Sequence, residues 1–327
     1  MKPVSKNRRN LLAVPGALAA ASVLAPAVRA QSAFRVILPV GPGSGVDTIV
    51  RSASNALSKA LDGRSVVIEN LPGAGGITGT QALVSARPDG NTIGFVSNNH
   101  AVNPSVFQKM PYDGLADITP ITIVGGSPFL LIVNPEKVPA KTAKQLQALL
   151  ESKPDAFNYG SSGNGTIIHL AGQMFFDAID VPVRHVPYKG MGPMITDIMG
   201  GQIELGVGAL AAVQGHLESG KLRAIGVMGK QRLATLPDLP TIAEQGFPAV
   251  DISGWFAAVG PKGLPADEVT RLHRAVVAAF NDPEVKDGFA KRDDFLVLGS
   301  PAEAAAFLAS EQERYAKLVK SAGVTLN

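Results

Sequence analysis

Apolar residues in this chain come in short β-branched runs, and glycine follows the first of them at once. Residues 34–40 (FRVILPV) predict a buried parallel strand. Gly41-Pro42-Gly43-Ser44-Gly45 breaks that run. Val46, Ile49, Val50, Ala53, Leu57, Ala60 and Leu61 then keep one face of a helix. Residues 65–69 predict a second strand, 70–76 another glycine-rich turn, 77–85 a second helix and 91–97 a third strand. This alternation predicts an α/β fold with a mainly parallel, helix-covered sheet. Two extended runs follow, 121–124 and 128–133, separated by Gly125-Gly126-Ser127 and read as a crossing into a second lobe. There, 142–152 predict a helix capped by Thr142. A strand at 157–160, a turn at 161–165 and a helix at 166–179 come next. Strands at 184–186, 204–207 and 224–227, with a helix at 192–200, complete the lobe. Residues 251–259 read as the return crossing. The tail, with helices at 266–280, 283–292 and 301–322, is expected to cover the first lobe. The expected boundaries are 31–127 with 253–327 for lobe 1 and 128–252 for lobe 2.

Charge changes the picture only at the start. The formal net charge is +3, with 30 Lys+Arg against 27 Asp+Glu. Lys2, Lys6, Arg8, Arg9 and Arg29 all lie in residues 1–30, which hold no acid. Without those five cations the body is slightly acidic and lacks the basic footprint of a nucleic-acid binder. The basic start, the Ala- and Leu-rich run at 11–24 and the Val28-Arg29-Ala30 end predict a cleaved signal peptide over 1–30, with Gln31 as the mature start. Arg8-Arg9 also fits a loose twin-arginine pattern, so either export route is open. The expected location is a bacterial periplasm. The chain has no cysteine, which excludes disulfides, thiolate metal sites and a cysteine nucleophile.

The two strand-turn-helix units starting at residues 34 and 157 share one plan. A helix start carries unpaired N–H groups and about half a positive charge. Glycines let a ligand approach the backbone closely. Each unit is therefore a candidate anion cradle, and two of them across a cleft suit a ligand with a carboxylate at each end. The plain alternative is that such turns only pack. Named motifs fail: Val46 stands where G-x-G-x-x-G needs glycine, no G-x-x-x-x-G-K-[ST] exists, and no G-x-S-x-G surrounds Ser44, Ser161 or Ser162. His100, His169, His185, His216 and His273 have no ligand spacing, so no metal and no cofactor is expected.

Pro39-Val40-Gly41-Pro42-Gly43-Ser44-Gly45-Val46-Asp47 with Arg51 resembles the first binding loop of the substrate receptors of tripartite tricarboxylate transporters, the Bug-type receptors. Glu69-Asn70-Leu71-Pro72-Gly73-Ala74-Gly75-Gly76 is similar to their second glycine loop. Asn103-Pro104, Pro111-Tyr112-Asp113, Gly160-Ser161-Ser162-Gly163-Asn164-Gly165-Thr166 with His169-Leu170-Ala171-Gly172, Val186-Pro187-Tyr188-Lys189-Gly190 and Gly200-Gly201-Gln202 follow in the family's order. The resemblance implies a two-lobed type II periplasmic binding-protein fold with two crossover strands as its hinge. It implies a small di- or tricarboxylate or related acid as ligand, no enzymatic activity, and delivery to two integral membrane permease subunits. A monomer is expected. Departures at Val40-Gly41-Pro42, at Ser97-Asn98-Asn99-His100 and at Gly206-Val207-Gly208-Ala209 bear on ligand choice.

The candidate ligand contacts are Gly41, Gly43, Ser44, Gly45, Ala74, Gly75, Asn98, Asn99, Ser161, Gly163, Gly165, Thr166, His169 and Tyr188. Ser44 and Thr166 either bind a carboxylate oxygen or only cap their helices. His169 is either a donor to ligand or a structural hydrogen-bonding histidine. Asp47 is expected to pair with Arg51, four residues on, and Trp255 to pack at the hinge. A sensory receptor for a membrane kinase is the alternative reading. A hydrolase or transferase built on Ser44, Asp47 and His169 is a weaker one, since no strained turn presents the serine.

Overall fold

The computed structural model describes residues 33–322. The leader at 1–30 and the start at Gln31 lie outside the described residues. β1 (Phe34–Leu38) runs between β2 (Val66–Asn70) and β3 (Thr92–Ser97), parallel to both. β4 (Ile118–Val133) leads onward to β5 (Asn158–Ser161), which runs parallel to β6 (Arg184–Pro187) and to β7 (Leu205–Ala209). Two such parallel groups are joined by two long antiparallel strands. β4 pairs with β9 (Ser253–Pro261) from Ile118 to Pro128, then with β7 and β8 (Arg223–Val227) from Phe129 or Leu130 to Val133. β9 pairs with β3. This is the two-lobed α/β fold of periplasmic binding proteins, with β4 and β9 as the crossings.

The expected gap at Gly125-Gly126-Ser127 is not a gap. β4 runs through it, with register shifts near Pro120 and Ile123. Glycine stands there because other backbone comes close. A Cβ on Gly125 would fall on the carbonyl of Phe295 in β10 (Phe295–Leu296), and one on Gly126 would fall on that of Gly254.

Among the described residues eleven α-helices pack on these strands. The single helix expected over 46–61 is two, α1 (Gly45–Ser52) and α2 (Ser54–Ala60), meeting at Ala53. The Ser52 hydroxyl donates to the Ile49 carbonyl at 2.7 Å and that of Ser54 to Arg51 at 2.8 Å. Such back-bonding loosens a helix and bends it. α3 (Ile77–Val84), α5 (Ala143–Ser152), α6 (Ile167–Ile179) and α7 (Met191–Met199) fall where the pattern puts them. α4 (Asn98–Val106) and α8 (Leu210–Glu218) are additions. α4 starts on Asn-Asn-His and contains Pro104, and α8 contains Gly215, so neither shows a clean apolar stripe.

Of the tail helices, α9 (Ala266–Phe280) lies on α2 beside α10 (Pro283–Ala290). One core fills the space between β1, α1, α2 and α9 around Phe34, Phe95 and Phe280. α11 (Pro301–Ala322) packs on α4 and β4 and belongs to the larger core through Tyr315 and Val319.

Candidate functional site

The C-terminal ends of β1, β3, β5, β6 and β7 converge on one cavity of about 440 Å³. Open α/β sheets place ligand sites at such ends. Ten of the expected contacts line it: Gly41, Ser44, Gly45, Ala74, Gly75, Asn98, Asn99, Gly163, Thr166 and Tyr188. Gly43, Ser161, Gly165 and His169 do not. Val40, Val46, Phe107, Phe129, Met191 and Trp255 form much of the remaining surface. The apolar positions give no sequence signal beyond ordinary core patterning. Among the described residues Lys189 is the only charged side chain on the wall, and it is exposed.

The two turns are alike in backbone and unlike in hydrogen bonding. Ser44 and Thr166 are N-caps with the same torsions, φ −74° and ψ 162°. The Ser44 oxygen accepts from the Asp47 amide at 3.2 Å, and its proton has no acceptor among the described residues. The first-turn amides of Gly45 and Val46 lack partners within a helix by geometry, and no other group among the described residues takes them. Asp47 sits beneath, taking the Gly43 amide at 3.0 Å, Arg51 at 2.8 Å and the Asn70 carboxamide at 2.9 Å.

At the second turn most donors are taken. The Thr166 hydroxyl donates to the Gly163 carbonyl at 2.8 Å and accepts from Ser162 at 3.0 Å. The His169 amide points at that same hydroxyl. The Gly165 amide donates to His169 Nδ1 at 3.0 Å. The Ile167 amide donates to Asn99 Oδ1 at 2.7 Å, a bond from one lobe to the other. Of the first-turn amides of α6, only that of Ile168 has no partner among the described residues.

His169 stacks flat on His185, with ring centroids 3.9 Å apart. His185 Nε2 lies 2.6 Å from the Ser161 hydroxyl, which donates to the Gly163 carbonyl. Burial lowers the pKa of His169. Burial and then the charge of His169 push His185 down to about 4. Both rings are therefore neutral at pH 7 and serve as props under the turn.

Asn98 is fully occupied by the hinge. Its Nδ2 donates to the Ser253 carbonyl at 3.0 Å and to Tyr315 at 2.7 Å, and its Oδ1 accepts from the Trp255 amide at 2.9 Å. The Trp255 indole donates to Glu311 at 2.7 Å, so the ring offers the cavity only its apolar surface. The Tyr188 hydroxyl donates to Asp197 at 2.8 Å, and burial together with that bond pushes its pKa up to about 12.

Backbone meets backbone across the cleft. A Cβ on Gly41 would lie 3.4 Å from the Lys189 carbonyl, one on Gly192 2.7 Å from that of Pro42, and one on Gly45 2.8 Å from the Ala209 side chain. The lobes are closed on each other. Among the described residues no group of three or more His, Cys, Asp or Glu side chains can hold a metal, and no helix is long and apolar enough to cross a membrane.

Fold and cavity together define a solute receptor of the periplasmic binding-protein class. The model of the tripartite tricarboxylate transporter family receptor matches residues 49–324. Protein BugT of Bordetella pertussis is 32% identical over 98% of this chain and 99% of its own length. A structure described as a periplasmic transporter superposes with a TM-score of 0.86 at 35% identity, covering 90% of this chain and 98% of that one. An R. palustris protein solved with adipate gives 0.85 at 30% identity, over 90% and 98%. The chain belongs to the tripartite tricarboxylate transporter receptor family. These are binding proteins and not enzymes, which sets aside the hydrolase or transferase reading.

Proposed function

We propose that the chain is an exported periplasmic receptor. It captures a small organic carboxylate between its lobes and hands it to a membrane transporter with two integral subunits. It works as a monomer, with lobe 1 formed by 31–127 and 253–327 and lobe 2 by 128–252. The observation that carries the reading is the chemistry of the cavity wall. Its one charged side chain is a cation, and the start of α1 offers it two open amides and the Ser44 hydroxyl. Partial charges at a helix end hold an anion without burying a full counter-charge, so release stays easy. Ser44, Gly45 and Val46 contact the carboxylate. Gly41, Ala74, Gly75, Asn99, Gly163, Thr166 and Tyr188 surround the ligand. Gly43, Ser161, Gly165 and His169 hold the turns in shape through their hydrogen bonds. Closure is a population shift toward the state that binds better. The adipate bound by one relative fits the class.

The test is thermal unfolding of residues 31–327, refolded from denaturant to strip carried ligand. The panel holds mono-, di- and tricarboxylates, amino acids and sugars. A ligand at 100 times its Kd adds ~2.7 kcal/mol. A rise in Tm with carboxylates supports the reading. A rise with sugars or neutral compounds alone overturns it.

A further inference from the structure

We propose that Glu311 is a positioning residue of the ligand site: it holds the Trp255 indole by its N–H and so fixes the apolar wall on which the ligand body rests. The inference rests on the cavity being the site of capture, as proposed above, and gives the C-terminal helix α11 a part in it.

Trp255 reaches the cavity from β9 and is 5% exposed. The ring has one polar group, its Nε1–H, and that group donates to Glu311 Oε2 at 2.7 Å. Two more side chains of α11 hold the same corner. Phe307 meets the indole edge-on, with ring centroids 5.3 Å apart and planes at 83°. Tyr315, fully buried, accepts from Asn98 Nδ2 at 2.7 Å, and Asn98 Oδ1 takes the Trp255 backbone amide at 2.9 Å. Phe307, Glu311 and Tyr315 stand four residues apart, which puts them in one stripe along the helix.

Glu311 is the member of that stripe whose chemistry is specific. A buried carboxylate is costly unless it is paired and hydrogen-bonded, and Glu311 is 6% exposed. Both of its oxygens are used. Oε2 takes the indole, and Oε1 takes Arg314 at 3.1 Å. Arg314 in turn reaches the Asp251 carbonyl at 3.3 Å, just before β9 begins.

A buried indole N–H has to find an acceptor. Without Glu311, the open side of this ring is the cavity. The polar edge then turns toward the ligand space, and the wall loses apolar surface and gains a donor. The simpler role for Glu311 is to pin α11 to the body of the protein. Spectroscopy separates the two roles, because Trp255 is the only tryptophan of the chain and all indole emission reports this one ring.

The experiment compares wild type, Glu311→Gln, Glu311→Ala and Val319→Ala. Each is stripped of ligand, examined by indole emission and acrylamide quenching, and then titrated with hexanoate, benzoate and adipate. Val319 is buried in the same helix, so its truncation loosens α11 without removing the acceptor. Glu311→Gln keeps an acceptor for the N–H, while the half-exposed Arg314 turns to water. It is expected to keep wild-type emission, with affinities within about threefold. Glu311→Ala is expected to red-shift the emission, raise quenching severalfold and weaken the tightest-bound of the three acids about tenfold. Val319→Ala is expected to lower Tm with emission and affinity unchanged. Wild-type emission and quenching in Glu311→Ala overturn the proposal, and so does wild-type affinity. Matching changes in Val319→Ala also overturn it, since helix packing would then be the cause. If wild type binds none of the three acids but binds a neutral solute, the carboxylate reading falls by itself. Emission, quenching and the affinity for that solute then decide the role of Glu311 on the same criteria.

Discussion

The two strand-turn-helix units have the same cap torsions and the same order of elements, yet they face different neighbours. The first turn leans on the other lobe. Gly41 approaches Gly190, Gly192 approaches Pro42, and Gly45 approaches Ala209. The second turn is fastened mainly within its own lobe, through Ser161, Ser162, His169 and His185. One turn keeps donors open and closes against a partner. The other uses its donors to hold itself rigid. Matching backbone therefore does not imply matching chemistry, and the symmetric cradle drawn from sequence becomes an unequal pair.

Glycine replacement should break the comparison most sharply. Gly45→Ala places a Cβ 2.8 Å from the Ala209 side chain when the lobes are closed. Overpacking of this kind costs about 1–3 kcal/mol, and here it falls on the closed state alone. Affinity for the best acid should drop about tenfold to a hundredfold in titration calorimetry, while Tm without ligand hardly moves. Gly165→Ala should do the reverse. Gly165 has φ +70°, where a side chain strains the backbone whether the lobes are open or shut. Apo stability should fall by about 1 kcal/mol or more, with a smaller change in affinity. Equal effects of both changes on affinity would restore the symmetric picture.

The caps sharpen the contrast at smaller size. Ser44→Ala and Thr166→Ala each remove an N-cap, for about 1 kcal/mol of stability. Thr166→Ala also unfastens Ser162 and the Gly163 carbonyl, so it should cost more in chemical unfolding. Ser44→Ala removes the open hydroxyl, so it should cost more in affinity, about tenfold for a charge-assisted bond. A larger affinity loss from Thr166→Ala would place the carboxylate at α6 instead.

What the sequence makes legible follows from how local each cause is. Apolar β-branched runs marked β1 and β3, and glycine after the strand marked β1 and β5, because strand burial and turn geometry are written in neighbouring residues. Thr142 and Asp47–Arg51 were legible for the same reason, as each pair lies three or four residues apart. β4 was read as two pieces, since Gly125-Gly126 looks like a break until Phe295 and Gly254 are seen against it. The Asn99–Ile167 bond spans 68 positions and the His169–His185 stack 16, and no periodicity reports either. The apolar side of the cavity was illegible too. Phe107 stands outside every run that the pattern singles out, Phe129 lies in the extended run at 128–133, and Trp255 reads as hinge packing. Core it partly is, but its ring also faces the ligand space.

The smallest expected effect concerns acid. In the unfolded chain a histidine titrates near 6.5. In the folded chain His185 stays neutral until about pH 4, because burial and His169 both oppose its charge. Between those values the unfolded state binds more protons, so stability present above about pH 6.5 is lost as pH falls toward 4. His169 and the buried His100 act with the same sign. Asp294 acts with the opposite sign, since burial raises its carboxyl to about 6 and protonation then relieves it. Whole-protein curves mix these terms, so the comparison must be made by variant. Between pH 7 and 4.5, Tm should fall a few degrees less in His185→Gln than in wild type. The acid effect should also reach the second turn alone, since His185 bears on Ser161 and no histidine props α1. Amide exchange at 162–166 should therefore quicken at pH 4.5 while exchange at 43–47 does not. Parallel quickening at both turns would mean that acid loosens the lobe contact as a whole, and the histidine stack would then be no more than packing.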